Sequence, residues 1–414
     1  MYKKKLILGE NQEYNMNCHE TGLNNNVLVV GTSGSGKTRS IVTPNLLQAE
    51  GSYIVSDPKG NLYNQYKGYL ENRGYVVKKL DFTDMTGSVH YNFLNYIHST
   101  FDIVQIAHVL VNNIENVYNR DPFWDQASQL LVQAVIAYLK EACSKDEQNL
   151  HGLCNLITLC NVNTDNEVFE TVLDMLMDKL KKRNPDSYAA ATYAKFRIAA
   201  NRTLRSILIT ANAKIGVFDV PEIAELTSND DVDIESIGKR KTALFVVVSD
   251  TDRSMDILAN IFFTQAMNVL CRYADKKTRN YCLPVPVRFI LDDFATNCKI
   301  DQFPRMIASI RSRGISVMIM IQAEAQLTQC YGYDGKTILG NCDTYVYLGG
   351  NDVETAKAVA ERSDVPVMRI LNMPVGTNWI FRRGQQPVNG QNYDYDKHIA
   401  KNKNRSDVCE MALI

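Results

Sequence analysis

The chain has 414 residues, 45% hydrophobic and 22% charged, a composition that excludes wholesale disorder and leaves length enough for two domains and a sizeable core. Its 45 Lys and Arg against 46 Asp and Glu give a formal net charge of −1, which excludes a uniformly basic nucleic-acid wrapper and leaves room for a local basic lining. The 10 cysteines are scattered without a Cys-x-x-Cys pair, Cys154 and Cys160 being nearest neighbours, so they read as free thiols in a reducing cytosol rather than a zinc site or a disulfide framework.

The opening stretch, MYKKKLILGENQEYN, holds too short an apolar run for a signal peptide, and no run of about 18 apolar residues follows anywhere. The expectation is a cytoplasmic chain with no transmembrane segment of its own. The first predicted strand, VLVV (27–30), leads directly into Gly31-Thr32-Ser33-Gly34-Ser35-Gly36-Lys37-Thr38. This octet fills every fixed position of G-x-x-x-x-G-K-[ST], and a helix is predicted from Lys37 onward. Glycines let successive backbone N–H groups turn inward around phosphates, and the helix N-terminus adds its partial positive charge. In that pattern Lys37 reaches the β and γ phosphates of a nucleotide and the Thr38 hydroxyl ligates Mg²⁺.

Further strands are predicted at YIVS (53–56) and YVVKKL (75–80), each apolar or β-branched on consecutive positions, as in a parallel sheet covered on both faces. From roughly 100 to 235 the pattern changes to helical periodicity, as in PFWDQASQLLVQAVIAYLKEA (122–142) and NEVFETVLDMLMDKLKKR (166–183). Pro122 suits a first helical turn, and Trp124, Ala127, Leu131, Ala134, Val135 and Tyr138 recur at helical spacing, a stripe read as core packing. Strands resume at ALFVVV (243–248), VRFILD (287–292), ISVMIMI (315–321) and TYVYLGG (344–350). The stretch from about 383, rich in Asn and Lys, reads as loop or disordered tail.

A phosphate loop needs an acid at the end of an apolar strand, and FILDD (289–293) supplies two. Asp292 reads as the metal-side carboxylate and Asp293 as the water-polarising one; the alternative for Asp292 is a helix N-cap. Gln322 closes the next strand and either senses the γ phosphate and attacking water or merely caps. Arg311 and Arg313 end a predicted helix whose apolar face is Phe303, Met306, Ile307 and Ile310. They either complement its dipole or offer an arginine finger to a neighbouring subunit. The predicted fold is α/β: a RecA-like P-loop ATPase motor domain with a mainly parallel sheet, interrupted by an all-α insertion domain. The expected boundaries are 1–98 and 236–398 for the discontinuous motor, 99–235 for the insertion and 399–414 for a flexible tail.

Beyond the phosphate loop, an ordered set of segments resembles the type IV coupling proteins, the TraG/TraD-type conjugation ATPases. They are YIVSDPKGNLY (53–63), DPFWDQASQLLVQAVIAYL (121–139), the segment from Lys214 to Asp252, RFILDDFAT (288–296), SIRSRGIS (309–316), MIQAEAQL (320–327) and GNCDTYVYLGGND (340–352). The resemblance runs from about residue 20 to 398 and implies a hexameric ring around DNA that hydrolyses ATP with Mg²⁺. It implies recruitment of single-stranded DNA with a bound relaxase and its transfer to a type IV secretion channel. On matching positions it supports Lys37, Thr38, Asp292, Gln322 and Arg311 in the roles above; Asp57 and Lys59 match a family turn without an assigned chemistry.

Two departures accompany it. The family usually has Asp-Glu-Phe where this chain has Asp292-Asp293-Phe294, which shortens the water-polarising group by one methylene. Members also usually carry N-terminal transmembrane helices, so the expectation is a coupling protein lacking that region, at the cytoplasmic face of a bacterial membrane through a missing or separate anchor. The rival readings are an FtsK- or HerA-type double-stranded DNA translocase and a nucleotide-binding docking platform with negligible hydrolysis. Basic clusters such as KLKKR (179–183) and GKRK (238–241) read equally well as solvated surface.

Overall fold

The computed structural model describes residues 5–112, 122–160, 171–199 and 201–395, so the expected tail at 399–414 lies outside the described residues, as do 166–170 of the second predicted helix. The chain divides into two compact units, one of Met1–Asp84, Asp233–Ala259 and Ala266–Ile414, the other of Met85–Val232 and Asn260–Gln265.

The first unit is built on strands β1 (Lys5–Gly9), β2 (Gln12–Asn15), β3 (Val27–Val30), β4 (Ser52–Asp57), β5 (Val76–Asp81), β6 (Thr242–Val247), β7 (Val287–Leu291), β8 (Ile315–Ile321), β9 (Thr344–Tyr347), β10 (Thr377–Arg382) and β11 (Val388–Gln391). β1 and β2 pair as a separate antiparallel hairpin. The other strands form a 9-stranded sheet in the order β11-β10-β9-β3-β8-β7-β4-β6-β5. From β9 to β5 every neighbouring pair is parallel, and β10 and β11 add antiparallel at the β9 edge.

The consecutive apolar runs have the burial they require. Every residue of β3, β4, β6 and β7 is buried. One face presents Val27, Val29, Tyr53, Val55, Phe245, Ile290, Met318, Met320 and Val346 to a cluster that includes Ile41, Leu46, Leu62 and Tyr66 from the helices after β3 and β4. Fully burying such a side chain contributes about 1.5–3 kcal/mol.

Three segments differ from the sequence expectation. The apolar start KLILG is a strand, with Leu6, Ile7 and Leu8 buried. Part of the polar stretch after 383 is also ordered: Val388 to Gln391 pairs with β10, and as an edge strand it needs no apolar run. The helix expected to end at Gly314 is two short turns, Phe303–Met306 and Ile310–Arg313, because the winding tightens where the Ser309 N–H donates to the Met306 carbonyl. Phe303, Ile307 and Ile310 are nevertheless buried and Met306 half-buried.

Among its described residues the second unit has no strand, and its helices include Thr100–Asn112, Pro122–Ala142, Leu150–Thr158, Val172–Arg183, Tyr188–Phe196, Asn201–Ile215 and Pro221–Leu226. Pro122–Ala142 packs against Thr100–Asn112, Leu150–Thr158, Tyr188–Phe196 and Asn201–Ile215. That is why Leu131 to Ala137 are buried on every side of this helix, a wider burial than the single predicted stripe, in which Trp124, Ala127 and Tyr138 are half-buried. Lys214 is buried in this unit and donates to the Val111 carbonyl at 2.7 Å and to Asp125 Oδ1 at 2.5 Å, a partnering that offsets its desolvation.

Candidate active site

Parallel strands finish at one edge of a sheet, and the registers align those ends here: Val30 lies opposite Ile321 and Tyr347, and Leu291 opposite Ile319 and Ser56. Loops leaving the carboxyl ends of such strands form the usual ligand crevice of an open α/β sheet. The phosphate loop leaves β3 there, and the acids leave β7, with β8 between the two strands.

Backbone contacts hold the loop open. The Gly31 N–H donates to the Ile321 carbonyl at 3.1 Å, the Thr32 N–H to the Gly349 carbonyl at 3.1 Å and the Ser35 N–H to the Thr32 carbonyl at 3.2 Å. Gly34 and Gly36 have φ of 76° and 89°, a region costly to residues with a Cβ, and a Cβ on Gly31 would fall 2.5 Å from Ser35 Oγ. The chain then enters a helix whose first turn, Lys37–Val42, is wound wide, the Thr43 N–H reaching the Thr38 carbonyl.

Lys37 is buried, and its Nζ donates to the Gly31 carbonyl at 2.7 Å and the Thr32 carbonyl at 3.1 Å. Burial pushes its pKa down, against the opposing pull of Asp293 and Asp292. The Thr38 hydroxyl donates to Asp292 Oδ2 at 2.7 Å, and the other carboxylate oxygen of Asp292 accepts the Asp293 N–H at 3.1 Å. Burial holds Asp292 above the usual carboxylate range, opposed by the Thr38 hydrogen bond and reinforced by the Asp293 charge. Asp293 itself sits at φ 49°, ψ 44°, at the start of the short Phe294–Asn297 helix, with no capping bond from its side chain. Left-handed backbone costs a non-glycine residue about 1–2 kcal/mol, so the turn that aims this carboxylate is held against strain.

The sequence-predicted residues thus separate into two groups. Lys37, Thr38, Asp292 and Asp293 come together at the carboxyl edge, and Gln322, exposed at the end of β8, begins where Gly31 is bonded to Ile321. Arg311 is not brought to them. It precedes β8, at the opposite edge of the sheet, where its Nη2 donates to the Cys18 carbonyl at 3.0 Å. Arg313 forms a two-pronged pair with Asp275, both contacts at 2.8 Å.

Other residues at the site had no assigned part in the sequence reading. Ser56 Oγ donates to the Asp292 carbonyl at 3.2 Å, and Asp57, buried at the end of β4, accepts the Tyr63 N–H at 2.8 Å. Burial raises the Asp57 pKa, and Asp292 is among the charges acting on it. Lys59 pairs with Asp250 at 3.3 Å. Asn392 reaches the phosphate loop from beyond β11, its Nδ2 donating to the Ser35 carbonyl at 3.4 Å. Only the ordered segments around Asp57 signalled any of this; Asn392 is separated from its partner by 357 positions and carries no local motif.

These residues fit a nucleotide with a divalent cation. Lys37 is a buried cation on carbonyl acceptors, Ser35 Oγ is buried without a hydrogen-bond partner among the described residues, and Thr38 with the acids offers hard oxygen donors of the kind magnesium takes.

Comparison with known proteins follows the same direction. Protein VirD4 of Rhizobium radiobacter is 24% identical over 347 residues, covering 81% of this chain and 48% of that protein. Conjugal transfer protein TraG of Escherichia coli is 23% identical over 359 residues, covering 81% and 54%. The chain therefore spans about half the length of these curated relatives. Among solved structures, the unbound bacterial conjugative coupling protein TrwBdeltaN70 superposes with a TM-score of 0.69 at 16% identity, covering 95% of this chain and 89% of that one. TrwB in complex with ADP and Mg²⁺ superposes with a TM-score of 0.64 at 16% identity, covering 89% and 85%. The fold is that of a RecA-like P-loop ATPase, with its mainly parallel sheet. The family model for type IV secretory system conjugative DNA transfer matches residues 1–363, and the chain belongs to that family.

Proposed function

We propose that this chain is the ATP-driven motor of a type IV coupling protein, recruiting a relaxase-bound single strand of DNA and passing it to a secretion channel. The observation that carries the reading is the hydrogen bond between Thr38 and Asp292, residues 254 positions apart, beside a buried Lys37. A serine or threonine of a phosphate loop against an acid on a nearby strand is the arrangement that holds a nucleotide's magnesium. Thr38 and Asp292 would hold that ion, and when bound it neutralises charge on the β and γ phosphates.

The chain's own groups do the rest. Lys37 exchanges its carbonyl acceptors for phosphate oxygens, stabilising charge as the terminal bond breaks. Asp293 orients the attacking water and accepts its proton, and the Gln322 amide holds that water in line. Arg311, distant from its own site, serves the nucleotide of the next subunit in a hexameric ring. TrwB has been solved with an ATP analogue, with a GTP analogue and with ADP and Mg²⁺, which supports ATP and magnesium as the ligands here. The helical unit is the part we assign to substrate recruitment.

Steady-state ATPase, measured against protein concentration with and without single- and double-stranded DNA, tests the reading. The native chain should turn over faster per protomer as concentration and single-stranded DNA rise, and Lys37→Ala should remove turnover by at least about 100-fold. Turnover independent of both concentration and DNA, or surviving in Lys37→Ala, overturns it.

A further inference from the structure

The loop that carries Gln322 is not held by its own strand alone. The Gln322 N–H donates to Gln326 Oε1 at 2.6 Å, which closes the turn locally. Two residues on, Glu324 is gripped twice by the helix Val353–Ser363. Its N–H donates to Thr355 Oγ1 at 3.1 Å, and its carboxylate accepts Arg362 Nη1 at 2.6 Å. The Arg362 guanidinium also lies over the Tyr345 ring of β9, 4.5 Å from its centroid, and only 30% of its side chain is exposed. The Glu324 hydrogen bond and charge raise the Arg362 pKa against the desolvating effect of burial.

The same helix is tied to the phosphate loop. Its N-terminus is capped by Asp352, which accepts the Thr355 N–H at 2.8 Å. Just ahead of the cap, the Gly349 carbonyl accepts the Thr32 N–H, and the Leu348 N–H donates to the Val30 carbonyl at 2.8 Å. One short connection, Leu348 to Asp352, therefore touches the phosphate loop at one end and starts the helix that grips the Gln322 loop at the other. A charged pair of this depth, with one planar guanidinium fixed by both a carboxylate and a ring, has few alternative arrangements.

We propose that Glu324 and Arg362 are a positioning pair: through Thr355 and the Val353–Ser363 helix they fix the Gln322 amide relative to the phosphate loop, so that nucleotide binding at Thr32 and water orientation at Gln322 are set together. This rests on the hydrolytic reading above. Neither residue touches the reacting atoms. Displacing a positioned group by about 1 Å costs up to about 100-fold in rate, whereas nucleotide binding, which the phosphate loop dominates, is left largely intact.

The test uses the full chain and four variants: Glu324→Gln, the charge swap of Glu324→Arg with Arg362→Glu, Gln322→Ala and the double variant Glu324→Gln with Gln322→Ala. Glu324→Gln should lower kcat by about 10-fold to 100-fold with KM for ATP changed less than about 3-fold. The swap should recover part of the loss. In the Gln322→Ala background Glu324→Gln should cost almost nothing more, because an effect acting through Gln322 cannot be lost twice. Backbone amide exchange across Gln322 to Gln326 should quicken in Glu324→Gln with the unfolding midpoint held within a few degrees. Unchanged exchange in Glu324→Gln overturns the pair whether or not the chain hydrolyses ATP, as does an additive kcat loss in the double variant. A native chain without turnover but with quickened exchange in Glu324→Gln sinks the hydrolytic reading and leaves the clamp standing.

Discussion

Asp292 is placed where a carboxylate is costly. Burial raises its pKa, the Asp293 charge adds to that, and the Thr38 hydrogen bond and Lys37 oppose it without cancelling it. A folded-state pKa above the unfolded value of about 3.9 means that the native state binds its proton more tightly, so stability falls as pH rises through the interval between the two values. Above the folded-state value the full penalty is present. Asp292→Asn keeps an acceptor for the Thr38 hydroxyl and removes the charge. It should raise the unfolding midpoint at pH 7, with the gain shrinking to nothing as pH falls below the unfolded carboxylate value, while abolishing turnover. A midpoint below that of the native chain at pH 7 would show that the ionised form is structurally needed. The residues of this centre were legible to the extent that their neighbours in sequence announce them. Gly31 to Thr38 is a local pattern, and Asp292 follows an apolar strand. Ser56, Asn392 and the Glu324–Arg362 pair have no such neighbours, because their meaning comes from partners 236, 357 and 38 positions away.

Among the elements, the parallel strands β3 to β9 were readable and the antiparallel β10 and β11 were not. β3 is an unbroken apolar run, and β7 and β8 are apolar but for Arg288 and Ser316, because both faces are covered, whereas β11, Val-Asn-Gly-Gln, is half exposed and carries almost no hydrophobic signal. The helix Val172–Arg183 illustrates the opposite case, in which a polar signal fixes a boundary. The Thr171 hydroxyl accepts the Asp174 N–H at 3.1 Å, and Asp174 Oδ2 accepts the Thr171 N–H at 2.7 Å, so two donors at the helix start are satisfied reciprocally. Asp174 also binds Arg197 at 2.9 Å and the Tyr193 hydroxyl at 3.1 Å, which ties the cap to the neighbouring helix Tyr188–Phe196. Thr171→Ala should therefore lower stability by about 1–2 kcal/mol, the upper part of the range for a lost cap, as measured by urea unfolding. A loss within about 0.3 kcal/mol would mean that Asp174 holds the junction without the hydroxyl.

At the scale of the molecule, the position of Arg311 bears on whether the proposed ring shares its centres between subunits. Seven residues of β8 separate it from Gln322, roughly 23 Å along an extended strand, so it cannot reach the nucleotide of its own chain without unfolding that strand. Mixing two inactive variants tests the alternative. Lys37→Ala retains Arg311, and Arg311→Ala retains a complete phosphate loop, so an equimolar mixture should recover a measurable fraction of native ATPase while neither variant does so alone. No recovery at concentrations where native turnover is maximal would exclude Arg311 as a group supplied between subunits.

The hydrogen bond from Arg311 to the Cys18 carbonyl has a geometric corollary. If the arginine at the amino edge of one sheet completes the centre at the carboxyl edge of another, the two contacting surfaces are different surfaces. In the hexameric ring proposed above each chain hands its arginine to the next instead of exchanging it about a twofold axis, so the chains join front to back, a contact that either closes into a ring or grows without end. A closed ring of this kind has a sense of rotation written into it, since every subunit hands its arginine on in the same direction, and a polymer threaded through it meets a track with a defined forward and reverse.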